Sequence, residues 1–151
     1  MNAQKYTQKS LEAIQAAQQL TIENQNQQIE QVHLLASLIR QENGLAPQLL
    51  RKMGVTVESL DAAVLQELGK LPRVTSGREA DRYYVARPVD EALNRAEKLA
   101  DEMKDDFVSV EHLLLALIET ADSTLKRLFS AYNITKERFL QALQSVRGNQ
   151  R

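Results

Sequence analysis

The stretch QVHLLASLI at residues 31–39 returns as VEHLLLALI at 110–118, and this recurrence constrains the fold more than any other feature of the chain. At an offset of 79, residues 7–64 overlay residues 86–143 without a gap, with 14 identities over 58 positions. They include Glu12/Glu91, Ala17/Ala96, Leu20/Leu99, His33/His112, Leu38/Leu117, Leu49/Leu128 and Ala63/Ala142. Other pairs keep chemistry rather than identity, as in Ile29/Val108, Leu60/Phe139 and Gly54/Asn133. A sequence written twice predicts a structural unit built twice.

Each copy reads as four helices. In the second, Val89, Ala92, Leu93, Ala96, Leu99, Ala100 and Met103 recur at three- and four-residue spacing, with Pro88 at the first helical position. Ser109 stands where a helix N-cap belongs, ahead of the apolar run HLLLALI. Leu125, Leu128, Phe129 and Tyr132 mark a third helix, and Thr135 caps a fourth that carries Phe139, Leu143 and Val146. The first copy repeats the plan near 7–23, 31–41, 45–53 and 57–69. Gly54 and Asn133 each follow a third helix, where a residue tolerant of positive φ belongs.

The expected fold is therefore all-α, two pseudo-twofold four-helix repeats packed into one eight-helix domain. Four short helices rarely bury a sufficient core alone, so the copies are expected to share one. The boundaries are 1–69 for the first repeat, 70–85 for a linker, 86–147 for the second repeat and 148–151 for a terminal connection. The segment KLPRVTSGREADRYYVARP holds two of the three prolines and little apolar periodicity, although Tyr83, Tyr84 and Val85 suggest that its end packs against something.

Composition narrows the function. Nineteen Lys and Arg balance twenty Asp and Glu, which argues against a dedicated nucleic-acid binder. There is no cysteine, so disulfides and thiolate metal sites are excluded. No apolar run approaches the roughly 18 residues of a membrane span, and the polar start MNAQKYTQKS lacks a signal core; the expectation is a cytoplasmic protein with no membrane or nucleic-acid partner. The apolar stripes are used in internal packing, which predicts a monomer.

Active-site chemistry is hard to assemble. Glu30-x-x-His33 has the spacing with which a helix serves a dinuclear iron or manganese site, but the second copy has Ser109 where the matching glutamate is required, so no metal is expected. No G-x-S-x-G elbow occurs and no serine is framed by an apparent base. The paired carboxylates Asp105 with Asp106 and Glu79 with Asp81 lie in polar stretches that read as solvated turns. Both histidines sit in the first turn of a helix, where each imidazole is expected to hydrogen-bond a neighbouring loop. His33, His112 and Ser109 are thus read as structural residues at the helix start.

The duplicated HLLxxLI helix, the S-V-E-H start of its second copy and the LPRV linker together resemble the N-terminal domain of Clp ATPases, most closely the ClpB-type protein disaggregases. The resemblance runs from about Tyr6 to Val146 and implies the double Clp N-terminal fold. It also implies a larger parent, a stress-response chaperone working as an ATP-driven homohexamer with Mg, able to cooperate with a DnaK-type chaperone. No G-x-x-x-x-G-K-[ST] occurs here, so this chain is expected to have no ATPase activity and no cofactor of its own.

Within that family the resemblance assigns engagement of unfolded or aggregated polypeptide to positions matching Thr7, Asp105 and Glu111. An alternative is the N-domain of a protease-associated Clp ATPase, of ClpC or ClpA type, which docks an adaptor or tagged substrate. In ClpC an acidic residue precedes the histidine in both copies and receives phosphorylated arginine. Here the first copy has Val32 and only the second has Glu111, which favours the disaggregase reading. Leu11 against Asp90 and Val32 against Glu111 are expected to make the two halves unequal binders.

Overall fold

The computed structural model describes residues 1–74 and 83–148. After a 3-10 turn at Ala3–Lys5 come α1 (Gln8–Glu23), β1 (Gln28–Ile29), α2 (Gln31–Ile39), α3 (Leu45–Lys52) and α4 (Val57–Gly69). The second half follows with β2 (Tyr84–Val85), α5 (Arg87–Glu102), α6 (Val110–Glu119), α7 (Ser123–Ala131) and α8 (Lys136–Gly148). No described helix is long and apolar enough to cross a membrane. Glu79 and Asp81 lie outside the described residues, as does most of the terminal connection.

The helices begin and end for local reasons. Thr7 Oγ1 accepts from the Ser10 amide at 3.2 Å and Asp122 Oδ1 from the Leu125 amide at 2.9 Å, each satisfying a donor that the first turn leaves free. Thr135 Oγ1 accepts from the Arg138 amide at 3.2 Å at the start of α8. Pro88 occupies the second helical position rather than the first, because α5 starts at Arg87 behind Ala86; an orphan amide is missing there at no cost either way. Gly54 and Asn133 both take positive φ, +82° and +54°, and turn the chain out of α3 and α7.

The two central helices form the floor of the core. Every residue of α2 is buried, and α6 is buried from Val110 to Leu117 apart from Glu111. They are hydrophobic around most of their circumference because partners surround them: α1, α3 and α4 on one side, α5, α7 and α8 on the other. Leu35, Leu38, Leu49, Leu60, Leu114, Leu117 and Phe139 are fully buried in this shared core.

The halves are also stitched by exchange. The segment leading into α1 pairs with the second half: Tyr6 bridges Val108 in parallel, with Thr7 donating to the Val108 carbonyl at 2.9 Å and Val108 to the Lys5 carbonyl at 2.7 Å. The segment leading into α5 returns the arrangement, since β2 pairs in parallel with β1 in register Gln28↔Tyr84 and Ile29↔Val85. Tyr84 donates to the Gln27 carbonyl at 2.9 Å and Ala86 to the Ile29 carbonyl at 3.0 Å. Tyr6 and Val85, Thr7 and Ala86, and Ile29 and Val108 are all mates at the offset of 79, so the clasp obeys the pseudo-twofold.

Two buried polar side chains finish the join. Ser10 Oγ, fully buried, donates to the Val108 carbonyl at 2.9 Å. Gln31, also fully buried, donates to the carbonyls of Pro88 and Thr120 and accepts from the Asp122 amide at 2.8 Å. A buried amide is tolerated here because all its groups are paired across the halves.

Candidate functional site

The loop between α5 and α6, residues 103–109, brings together most of the residues singled out from the sequence. Lys104 turns it at φ +59°, and Asp105 then points its carboxylate at the His112 ring, Oδ2 to Nε2 2.7 Å. His112 is the third residue of α6, and its Nδ1 accepts from the Ser109 amide at 2.9 Å. The imidazole thus takes the part that Glu or Gln plays in a capping box, reaching back to the N-cap amide. With Nδ1 accepting, the ring proton sits on Nε2 and is donated to Asp105.

His33 repeats this geometry with different partners. Its Nδ1 accepts from the Glu30 amide at 2.9 Å, and its Nε2 lies 2.8 Å from Asn26 Oδ1. Gln25 turns this loop at φ +56°, as Lys104 does in the other half. Burial lowers the His33 pKa from its ordinary value to about 4, against a smaller upward pull from its bond to the Glu30 backbone. Both ring nitrogens of His33 are occupied by protein groups, which removes it from the Glu30-x-x-His33 ligand reading.

Ser109, His112 and Asp105 stand in the order of a nucleophile, a base and an acid, with Ser109 Oγ 3.1 Å from His112 Nδ1. No motif in the sequence marks a serine framed in this way. The array is not poised for proton abstraction. The Nδ1 lone pair is already taken by the Ser109 amide, and the hydroxyl donates instead to Glu111.

Arg147, in the last described turn of α8, was not singled out from the sequence and organises the site. Its guanidinium reaches Asp105 Oδ2 at 2.8 Å and Glu111 Oε2 at 3.0 Å. Burial raises the Asp105 pKa, but the hydrogen bonds from Arg147 and His112 outweigh it and hold the carboxyl below its usual value. The same two carboxylates raise Arg147 in spite of its partial burial. No repeat signal announces Arg147, because its mate is Leu68.

Thr7 adjoins this loop from the other half, since its amide donates to Val108 and its hydroxyl donates to Ser10 Oγ at 3.0 Å. Beyond it, Tyr6 donates its phenol to Glu97 Oε2 at 2.7 Å, and burial together with that carboxylate raises its pKa far above the ordinary phenol. Between Asp106 and Val108, Phe107 is 53% exposed, a large apolar surface beside the exposed Asp106 on a loop whose other carboxylate, Asp105, is pinned. Its mate in the first half is Gln28. Val32, by contrast, is buried, so the difference between positions 32 and 111 is a surface feature of the second half alone. Leu11 likewise packs against the core.

The sequence model of the family described as Clp repeat (R) N-terminal domain matches residues 5–132. The chain is 41% identical over its whole length to the chaperone protein ClpB of Bacillus anthracis, of which it spans 17%. It is 37% identical to ClpB of Clostridium tetani, again over the whole chain and spanning 18% of that protein. Among solved structures, the Hsp104 N-terminal domain from Candida albicans superposes with a TM-score of 0.82 at 23% identity, covering 97% of this chain and 94% of that one. The N-domain of ClpV from Vibrio cholerae does so with a TM-score of 0.73 at 19% identity, covering 95% and 85%. With that family model matching residues 5–132 of a duplicated, clasped four-helix unit, the chain belongs to the Clp N-terminal domain family.

Proposed function

We propose that this chain is the substrate-recruiting domain of a ClpB-like, ATP-dependent chaperone, binding unfolded or aggregated polypeptide and passing it to a hexameric motor. On this reading residues 1–69 and 86–147 are the two repeats, 70–85 joins them and 148–151 opens the connection to the motor. ATP and Mg belong to the motor, and cooperation with a DnaK-type chaperone is a property of the whole assembly. The whole-length identity to chaperones named ClpB supports it. A related structure, a ClpV N-domain in complex with a VipB peptide, is of the same fold with a TM-score of 0.65.

The observation that carries the reading is the exposed ring of Phe107 between Asp105, Asp106 and Glu111. Exposed aromatic surface suits the apolar residues that an unfolded chain displays, and the exposed carboxylate of Asp106 beside it suits the lysines and arginines interspersed among them. Thr7 borders the same loop and presents the start of α1. Thr7 and Asp105 are held by hydrogen bonds to Ser10 and His112, which fixes the frame of the surface before a partner arrives. A single such surface binds weakly, and recruitment by a hexamer would gain from several tethered copies.

The test is an amide chemical-shift titration of the chain with a permanently unfolded polypeptide. Shifts should cluster at Thr7, Asp105, Phe107 and Glu111, and Phe107→Ser should weaken binding about fivefold or more. Shifts confined to other surfaces would reject the assignment. Binding only to a folded partner would replace it with the adaptor-docking role.

A further inference from the structure

In the second half a guanidinium fills the channel between α5 and α6. Arg95 Nε lies 2.8 Å from Glu119 Oε1, and its Nη1 lies 2.8 Å from Glu102 Oε2. The mate of Arg95 in the first half is Ala16, and there the corresponding channel between α1 and α2 stands open as a groove of about 490 Å³. Lys9, Glu12, Ala16, Glu23, Arg40 and Gln41 are among its lining residues. That volume falls within the roughly 300–1,000 Å³ of ligand-sized clefts.

The open groove keeps half of the second half's clamp. Glu23 is the mate of Glu102 and is retained, while Arg40 replaces Glu119. Arg40 is engaged outside the clamp, its Nε 2.8 Å from Asp61 Oδ1. Glu12 and Glu42 also line the groove, so carboxylates outnumber cations there even with Lys9 and Arg40 counted. Gln41 donates its amide nitrogen to the Lys9 carbonyl at 2.8 Å, yet its side-chain oxygen is buried with no hydrogen-bond partner among the described residues.

We propose that this groove is a binding site for an unmodified arginine side chain presented by a polypeptide. The guanidinium takes the place that Arg95 occupies in the other half and pairs with Glu23, while its stem lies on Ala16 and Leu20. A planar fork pairs a carboxylate through two parallel hydrogen bonds; a lysine ammonium does not. The site stands apart from the 103–109 loop and does not depend on the role given to it.

The experiment is an amide chemical-shift titration of the whole chain with N-acetyl-arginine methylamide, beside its lysine and citrulline counterparts. Shifts at Ala16, Leu20 and Gln41, with arginine about fivefold tighter than either counterpart, are expected. Ala16→Arg should fill the groove from within and weaken binding about tenfold or more, and Ala16→Leu should do so by bulk alone should the first variant fold poorly. Equal responses to lysine or citrulline, or binding that survives both substitutions, would overturn the proposal. Shifts confined to Asp105, Phe107 and Glu111 would also overturn it while leaving the other surface in place. Loss of unfolded-polypeptide binding without loss of the arginine response would do the reverse.

Discussion

The loop before α2 and the loop before α6 share a frame and differ at the rim. In both, a left-handed residue turns the chain, an imidazole closes back on the N-cap amide, and its other nitrogen holds the loop. In the first half the holder is the amide Asn26, which is itself covered by the segment after α4: Asn26 Nδ2 donates to the Pro72 carbonyl at 3.1 Å, and Val74 donates to the Gln25 carbonyl at 2.8 Å. In the second half the holder is Asp105, and the covering element is the charged end of α8 through Arg147. Duplication therefore preserved the joint, and divergence at Asn26/Asp105, Gln28/Phe107 and Leu68/Arg147 turned one copy into a sealed support and the other into an exposed, anionic surface.

The largest effect that would break the comparison comes from the imidazoles. His33→Ala and His112→Ala each remove a buried ring and orphan an N-cap amide, at a cost of about 3 kcal/mol in urea unfolding. His33→Ala should be the more damaging, since Asn26 stays buried while Asp105 keeps Arg147 as a partner. Equal losses would show that the rim does not matter to the joint.

Acid should separate the halves almost as strongly. His33 titrates near 4 when folded and near 6.5 when unfolded, so the unfolded chain takes up the proton first. Stability is unaffected above about pH 6.5, falls as pH drops from there towards 4, and by pH 4 has lost about 3 kcal/mol. Asp105 works in the same direction but in a lower window. Its carboxyl is held below the usual value, so its contribution is complete above the ordinary carboxylate pKa and disappears only as pH falls through the depressed one. Thermal melts at pH 7, 5.5 and 4.5 check the first window. Asn26→Asp, which copies the second half into the first, should shrink the loss by giving the imidazolium an anionic partner.

A smaller effect attends Arg147→Gln. The guanidinium is one-third exposed, with relative side-chain area 32%, so its pairs contribute only about 1 kcal/mol to stability. Its removal frees Asp105 and Glu111 for a partner's cation, and basic unfolded peptides should bind several-fold tighter by calorimetry. The smallest effect distinguishes the two helix-ending turns. Gly54→Ala forces a side chain to φ +82° and should cost about 1 kcal/mol, while Asn133→Gly, at +54°, should change thermal stability by no more than about 0.5 kcal/mol.

All eight helices were legible because apolar spacing, caps and the repeat point the same way. Ser109 and Thr135 could be placed as caps from residue type and position alone. The partners of the histidines were harder. Asn26 and Asp105 lie seven residues upstream, across turns made by Gln25 and Lys104, which are not residues that advertise positive φ. Overlaying the copies would have offered a clue, because positions 26 and 105 differ in identity but both supply an oxygen acceptor. Arg147 gave no clue, since an ion pair between a helix end and a distant loop leaves no periodic trace. The strands were invisible for want of length: two residues carry no alternation to read.

The exchanged strands give the molecule a mechanical character. Each parallel bridge runs between a leading segment of one half and the loop of the other, so a force drawn along the start of α1 loads the Thr7–Val108 and Val108–Lys5 bonds in shear and carries the tension into the opposite half. Pulling on α5 through Ala86 and Ile29 does the same in reverse. Neither half can be peeled away while the other stays whole. Under load the domain should therefore hold to a single threshold and then give way in one event.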